Sequence, residues 1–250
     1  MGMLSNCPPK KNTLAARAAF QTGCDKACNK DNFTSLSDFI NFAHVYLEFI
    51  KDNLQAVIVS RNENHYQFFQ YKQDASFNVT RPINSRLMYR LEEFEQCSRE
   101  FLNILKNVKD SESVINREII NRTIYCTQQC IGATLDALPA NKSNIARKIN
   151  GDLFERFIRL VISEVGIDVS QETISVPVII DDEIAFNMNY QHDLIIKNNA
   201  KTKAIGSVKT SSKDRLDKIF IDKFLYNKLT EAKKIKKAVL LFLRCNKKLN

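Results

Sequence analysis

Ile205-Gly-Ser-Val-Lys209-Thr-Ser-Ser-Lys-Asp-Arg215 is the stretch on which the reading of this chain turns. It begins twelve residues after an isolated Asp193 and ends seven before Asp222. Residues 203–210 read as a β-strand, and side-chain alternation puts Ser207 and Lys209 on one face. Asp193-Leu-Ile-Ile-Lys197 reads as the strand before it, with its only acid at the start. A hairpin of the two brings Asp193 and Lys209 together. An acid entering an apolar strand needs a partner or a metal, because burying an unpaired carboxylate is expensive.

Working outward, residues 173–178 form a further strand, and the proline within it favours a sheet edge. Residues 184–196 read as one or two strands. Residues 144–165 are helical, closed by Gly166 as C-cap. Downstream, residues 214–232 carry Leu216, Ile219, Phe220, Phe224 and Leu229 at helical spacing. The run Ala238-Val-Leu-Leu-Phe-Leu243 is continuously apolar, as in a strand buried on both faces. The order α-β-β-β-α-β implies a mixed sheet flanked by helices.

The first 140 residues read as mostly helical. Ser35-Leu-Ser-Asp38 resembles a capping box ahead of Phe39, Ile40, Phe42, Ala43, Tyr46, Leu47 and Ile50. Helices are expected over residues 84–108 and 111–137, with a loop or short hairpin over 61–82. The organisation is therefore an N-terminal helical domain over 1–140, its first 34 residues a loose arm, and a second domain over 141–250. The fold class is α/β (α+β overall).

Two acids around a strand-borne lysine suit metal-assisted phosphodiester cleavage. Carboxylate oxygens would hold the ion, and a cation would orient water and offset developing charge. Mg²⁺ takes one or two carboxylates and keeps several waters. These residues resemble the PD-(D/E)XK nucleases, and in particular the type II restriction endonucleases. The common family pattern has an acid two residues before the lysine, where this chain has Ser207. A branch that cuts CCGG-containing sites has Ser-Val-Lys-Thr here, with its second acid moved to the next helix. Asp222, thirteen residues after Lys209, matches that displaced acid. Gly151-Asp-Leu-Phe-Glu155 resembles the branch's upstream helix motif, with Leu153 in place of one aromatic. His192 stands where the family has a proline before its first acid.

The resemblance implies a restriction-endonuclease-like αβββαβ core. It also implies an endodeoxyribonuclease that hydrolyses double-stranded DNA with Mg²⁺ and leaves 5′ phosphates. Glu155, Asp193, Lys209 and Asp222 are its expected catalytic residues, and Asp193, Asp222 and Glu155 its metal ligands. On a helical wheel Glu155 lies at the margin of the apolar stripe, where pairing with Arg156 or Arg159 is the plainer alternative.

In the same branch the segment after the lysine enters the major groove. Arg pairs with guanine in two hydrogen bonds, and Asp accepts from cytosine. Asp214-Arg215 keeps the pair, and Ser212 stands where the branch has its first Arg. The expected DNA-binding residues are Ser211, Ser212, Lys213, Asp214, Arg215 and Lys218. Charge agrees with a polyanion partner: residues 201–250 carry 15 Lys/Arg against 4 Asp/Glu, and the remaining 200 are near neutral. Expected partners are double-stranded DNA, a second copy matching a palindrome's two-fold symmetry, and a cognate DNA methyltransferase as genetic partner. A repair or mobile-element nuclease with the same core, or an inactive DNA-binding module, remain open alternatives.

No apolar run approaches membrane-spanning length, and the N-terminus lacks a signal-peptide core, so a cytoplasmic location is expected. Seven cysteines, an odd number, do not suggest a disulfide framework. Cys24-x₃-Cys28 and Cys126-x₃-Cys130 read as buried free thiols, and His44 as a core histidine. The end of the sequence, directly after an apolar strand, suggests a scaffold short of its last element.

Overall fold

The computed structural model describes residues 25–73, 76–107, 112–199, 201–210, 224 and 236–241. Helix α1 (Leu36–Asn53) opens with the expected capping box. The Asp38 backbone N–H donates to the Ser35 hydroxyl at 3.3 Å, and the Ser35 N–H donates back to the Asp38 carboxylate at 2.8 Å. Two amide donors left open by the helix start are thereby satisfied.

Strands β1 (Leu54–Val59), β2 (Tyr66–Gln73), β3 (Ser76–Val79) and β4 (Ile83–Asn84) follow and form an antiparallel sheet centred on β2. The sequence over 61–82 anticipated only a loop or short hairpin. Strand β1 went unread because Leu54 follows α1 with no glycine or proline between them, and Leu54-Gln-Ala-Val-Ile-Val59 does not alternate.

Helix α2 (Leu91–Lys106) starts later than the apolar spacing from residue 84 suggested. Ile83 and Asn84 pair with β2 instead, and the Asn84 N–H donates to the Tyr125 hydroxyl at 2.7 Å. Helix α3 (Val114–Asp136) buries residues on most of its faces in its C-terminal half. There the Arg81 guanidinium grips both carboxylate oxygens of Asp136 at 2.6 and 2.7 Å and the Gly132 carbonyl at 2.6 Å. Gly132 is needed for that approach, since a Cβ there would lie 2.0 Å from Arg81 Nη1.

A 3₁₀ turn over Ala140–Lys142 leads into α4 (Ser143–Glu164). Gly166, at φ +79°, ends the helix in the left-handed conformation that glycine adopts without steric cost. A second sheet follows in the order β5-β6-β7-β8. Its strands are β5 (Val169–Ile180), β6 (Glu183–Asn198), β7 (Lys201–Lys209) and β8 (Lys236–Leu241). The pairs β5–β6 and β6–β7 are antiparallel, and β7–β8 is parallel. This is the mixed sheet expected from the sequence, with the proline-bearing β5 at its edge. Asp181 and Asp182, both at positive φ, form the two-residue turn between β5 and β6. Asp tolerates that conformation better than most residues. Residues 184–196 lie in one continuous strand. The helix expected over 214–232 lies outside the described residues except Phe224.

One apolar core joins α4 to both the sheet and the N-terminal helices. Leu153, Phe154, Phe157 and Ile158 of α4 share it with Leu194, Val208, Phe39, Phe42 and Phe101. The Phe39 and Phe157 rings meet at 4.9 Å between centroids. Residues 25–33, expected within a loose arm, are held on α4: Phe33 is fully buried, Lys30 pairs with Asp152 at 2.6 Å, and Arg156 donates to the Lys30 carbonyl.

Two smaller expectations are corrected. His44 is not a core residue but a part-exposed one, bonded to Glu95 of α2 at 2.7 Å. Cys126 and Cys130 are buried as expected, whereas Cys28 is exposed and Cys24 lies outside the described residues. No helix among the described residues is long and apolar enough to cross a membrane.

Candidate active site

The β6–β7 hairpin places the start of one strand beside the end of the other. Asn198 pairs with Lys201 across a two-residue turn, and the ladder runs back to Leu194 opposite Gly206. Asp193 lies one residue before that first pair, and Lys209 at the end of β7. The Lys209 ammonium donates to Asp193 Oδ2 at 2.5 Å. The same oxygen accepts the Val208 backbone N–H at 2.9 Å. Two donors thus fix one carboxylate oxygen of a residue only 9% exposed.

Asp193 also sits in an irregularity of the sheet. On β5, Glu172 pairs with His192 and Ser170 with Ile195, so Asp193 and Leu194 together face the single residue Gln171. Such a bulge locally breaks the ladder and re-aims side chains. The Asp193 carbonyl accepts a hydrogen bond from outside the sheet: Arg159 Nη1 of α4 donates to it at 3.4 Å.

Glu155 reaches the same point from α4. The helix packs on β7 and β5 through Leu153, Phe154, Phe157 and Ile158, which turns its margin toward the lysine. Glu155 Oε1 lies 3.9 Å from Lys209 Nζ. Burial and, second, the Asp193 charge push the Glu155 carboxyl up to about 7, while Lys209 and Arg159 pull it down. Arg159 is itself half-buried, and burial lowers its pKa. Of the two arginines set against Glu155 on the helix, Arg156 turns to the carbonyls of Lys30 and Phe33. Arg159 turns to the site. Its sequence signal was the four-residue spacing from Glu155, which places both on one helical face.

Three of the four expected catalytic residues, Glu155, Asp193 and Lys209, therefore come together. The fourth, Asp222, lies outside the described residues, as do Ser211, Ser212, Lys213, Asp214, Arg215 and Lys218. Among the described residues no group of three or more His, Cys, Asp or Glu side chains forms a metal cage. Two carboxylates suffice for Mg²⁺, which prefers oxygen donors and retains water. Burial first and the Asp193 charge second raise the Glu155 carboxyl, and a hard divalent cation bound between the two carboxylates would favour their charged forms.

No family model and no curated protein matches the chain. Among solved structures, the type IIP restriction endonuclease Kpn2I is similar, with a TM-score of 0.60 at 12% identity, over 90% of this chain and 74% of that one. The chain therefore shares its overall fold with a restriction endonuclease.

Proposed function

We propose that the protein is a type II restriction endonuclease, a Mg²⁺-dependent, site-specific endodeoxyribonuclease acting on double-stranded DNA. The observation that carries this reading is the convergence of Glu155, Asp193 and Lys209 at one end of the β6–β7 hairpin. The similarity in fold supports it.

In this reading Asp193 and Glu155 hold the cation, with Asp222 completing the set. The ion would supply charge stabilisation at a phosphate oxygen. Asp193 is already oriented by the Val208 amide, so little reorganisation is needed when substrate arrives. Lys209 orients the attacking water and offsets charge as the phosphorane forms. In-line attack then expels the 3′ oxygen and leaves a 5′ phosphate. The segment 211–218 follows β7 directly, so sequence readout by Asp214 and Arg215 would start beside the chemistry. Ser211, Ser212, Lys213 and Lys218 would contact the DNA around them. The N-terminal residues 1–140 and the nuclease residues 141–250 would act as two domains, with a homodimer cutting both strands of a palindrome and a methyltransferase protecting the host site.

Plasmid digestion with Mg²⁺ tests the proposal, with wild type beside Lys209→Ala and Asp193→Ala. Discrete fragments that vanish in both variants are expected. Smears, or cutting at branched junctions alone, would point to a repair or mobile-element nuclease. Metal-independent DNA binding without cutting would point to an inactive binding module. Undiminished cutting by the variants would refute the site.

A further inference from the structure

We propose that Arg159 is a positioning residue for this site, setting the direction of the Asp193 carboxylate through the backbone of the β6 bulge. The inference rests on the nuclease reading for its functional consequence and on local geometry for its substance.

Asp193 lies where the two ladders of β6 are both interrupted. The β5 register skips a residue between Ser170 and Glu172, and the β7 register begins only at Leu194. The Asp193 carbonyl at this point accepts a hydrogen bond from outside the sheet. Arg159 supplies it, from a helix whose neighbouring residues Leu153, Phe154, Phe157 and Ile158 are locked in the core. Holding the Asp193 backbone fixes where the side chain starts. Lys209 and Val208 then fix where it ends, at a single oxygen. The same guanidinium lies within electrostatic reach of both Glu155 and Asp193, adding positive charge beside the carboxylate pair. Arg159 thus acts on Asp193 through its backbone carbonyl and on Glu155 through charge, a role that needs no contact with DNA.

Groups of this kind around metal ligands change activity or metal affinity by roughly 10- to 100-fold when removed. For Arg159→Ala the expected result is a fall of that order in kcat, a higher Mg²⁺ concentration for half-maximal rate, and an unchanged KM for DNA. Arg159→Lys should recover part of the loss. A loss confined to KM, with a shallower salt dependence, would mean a phosphate contact and would overturn the proposal.

A second readout does not depend on cleavage. Amide hydrogen exchange in the metal-free full chain reports the Val208 N–H, which is protected by Asp193 Oδ2. Removing Arg159 should speed exchange at Val208 by on the order of tenfold, with Ile195 and Ile205 unaltered. Arg159→Lys carries this measurement if Arg159→Ala does not fold. Unchanged Val208 exchange, or uniform acceleration across the sheet, would overturn the positioning role. A wild type that cuts no DNA, with the selective Val208 effect still seen in the Arg159 variants, would refute the nuclease reading while supporting the role of Arg159.

Discussion

Replacing Glu155 by glutamine should make the protein more stable and less active, and the gain should depend on pH. Glu155 has a carboxyl pushed up to about 7 from an ordinary value of 4.5, by burial first and by the Asp193 charge second. Its side chain is only 18% exposed, so solvent screening does not remove the effect. The folded protein holds this proton more tightly than the unfolded chain does. Between pH 4.5 and 7 the folded state therefore binds more protons, and stability falls as pH rises through that window. Above pH 7 the full penalty of the charged, buried carboxylate is present. A shift of this size corresponds to about 3 kcal/mol.

Glutamine keeps the shape of the protonated acid and cannot ionise. Glu155→Gln should therefore match wild type near pH 5 and exceed it by about 2–3 kcal/mol at pH 8. With a urea slope of about 2–3 kcal/mol/M, the midpoint would rise by about 1 M. Urea unfolding of both metal-free proteins at pH 5 and pH 8 measures this directly. Saturating Mg²⁺ should narrow the difference by stabilising the charged wild-type carboxylate. DNA cleavage by the variant should be lost at every pH. Parallel stability profiles for the two proteins would refute the electrostatic account of the site.

Lys209→Met should abolish detectable plasmid cutting while leaving DNA binding in a gel-shift assay within a few-fold. Gly132→Ala should cost about 2–4 kcal/mol in thermal unfolding, because the new Cβ meets a buried guanidinium held by three hydrogen bonds. Phe157→Ala should cost about 3–5 kcal/mol by the same measurement, since it opens a cavity between α1 and α4 under the site. Ser35→Ala removes one side of the capping box and should cost only about 1 kcal/mol.

The helices and the mixed sheet were legible because their signals are local. Apolar residues recurring every three to four positions marked α1, α2 and α4, and Gly166 marked where α4 stops. The N-terminal sheet was less legible. Strand β1 has no breaker before it, and the two residues of β4 are defined only by pairing with β2. Asp193 and Lys209 stood out because a charge at the end of an apolar strand is rare. Glu155 was ambiguous: a carboxylate at the margin of an apolar stripe can face solvent or a cleft, and the helix pattern does not distinguish the two.

By itself, then, the sequence determined the described elements of the second half, α4 and the strands, their order and the hairpin that joins the Asp193 strand to the Lys209 strand. Periodicity and turn chemistry are properties of neighbouring residues, so no fold is needed to read them. Tertiary structure alone decided that α4 turns Glu155 and Arg159 toward that hairpin and Arg156 away from it. It also decided that Asp193 sits in a bulge where Arg159 reaches its carbonyl. Helix rotation is set by packing against Phe39, Leu194 and Val208, and ladder register by pairing across the sheet. Both are contacts between residues far apart in the chain.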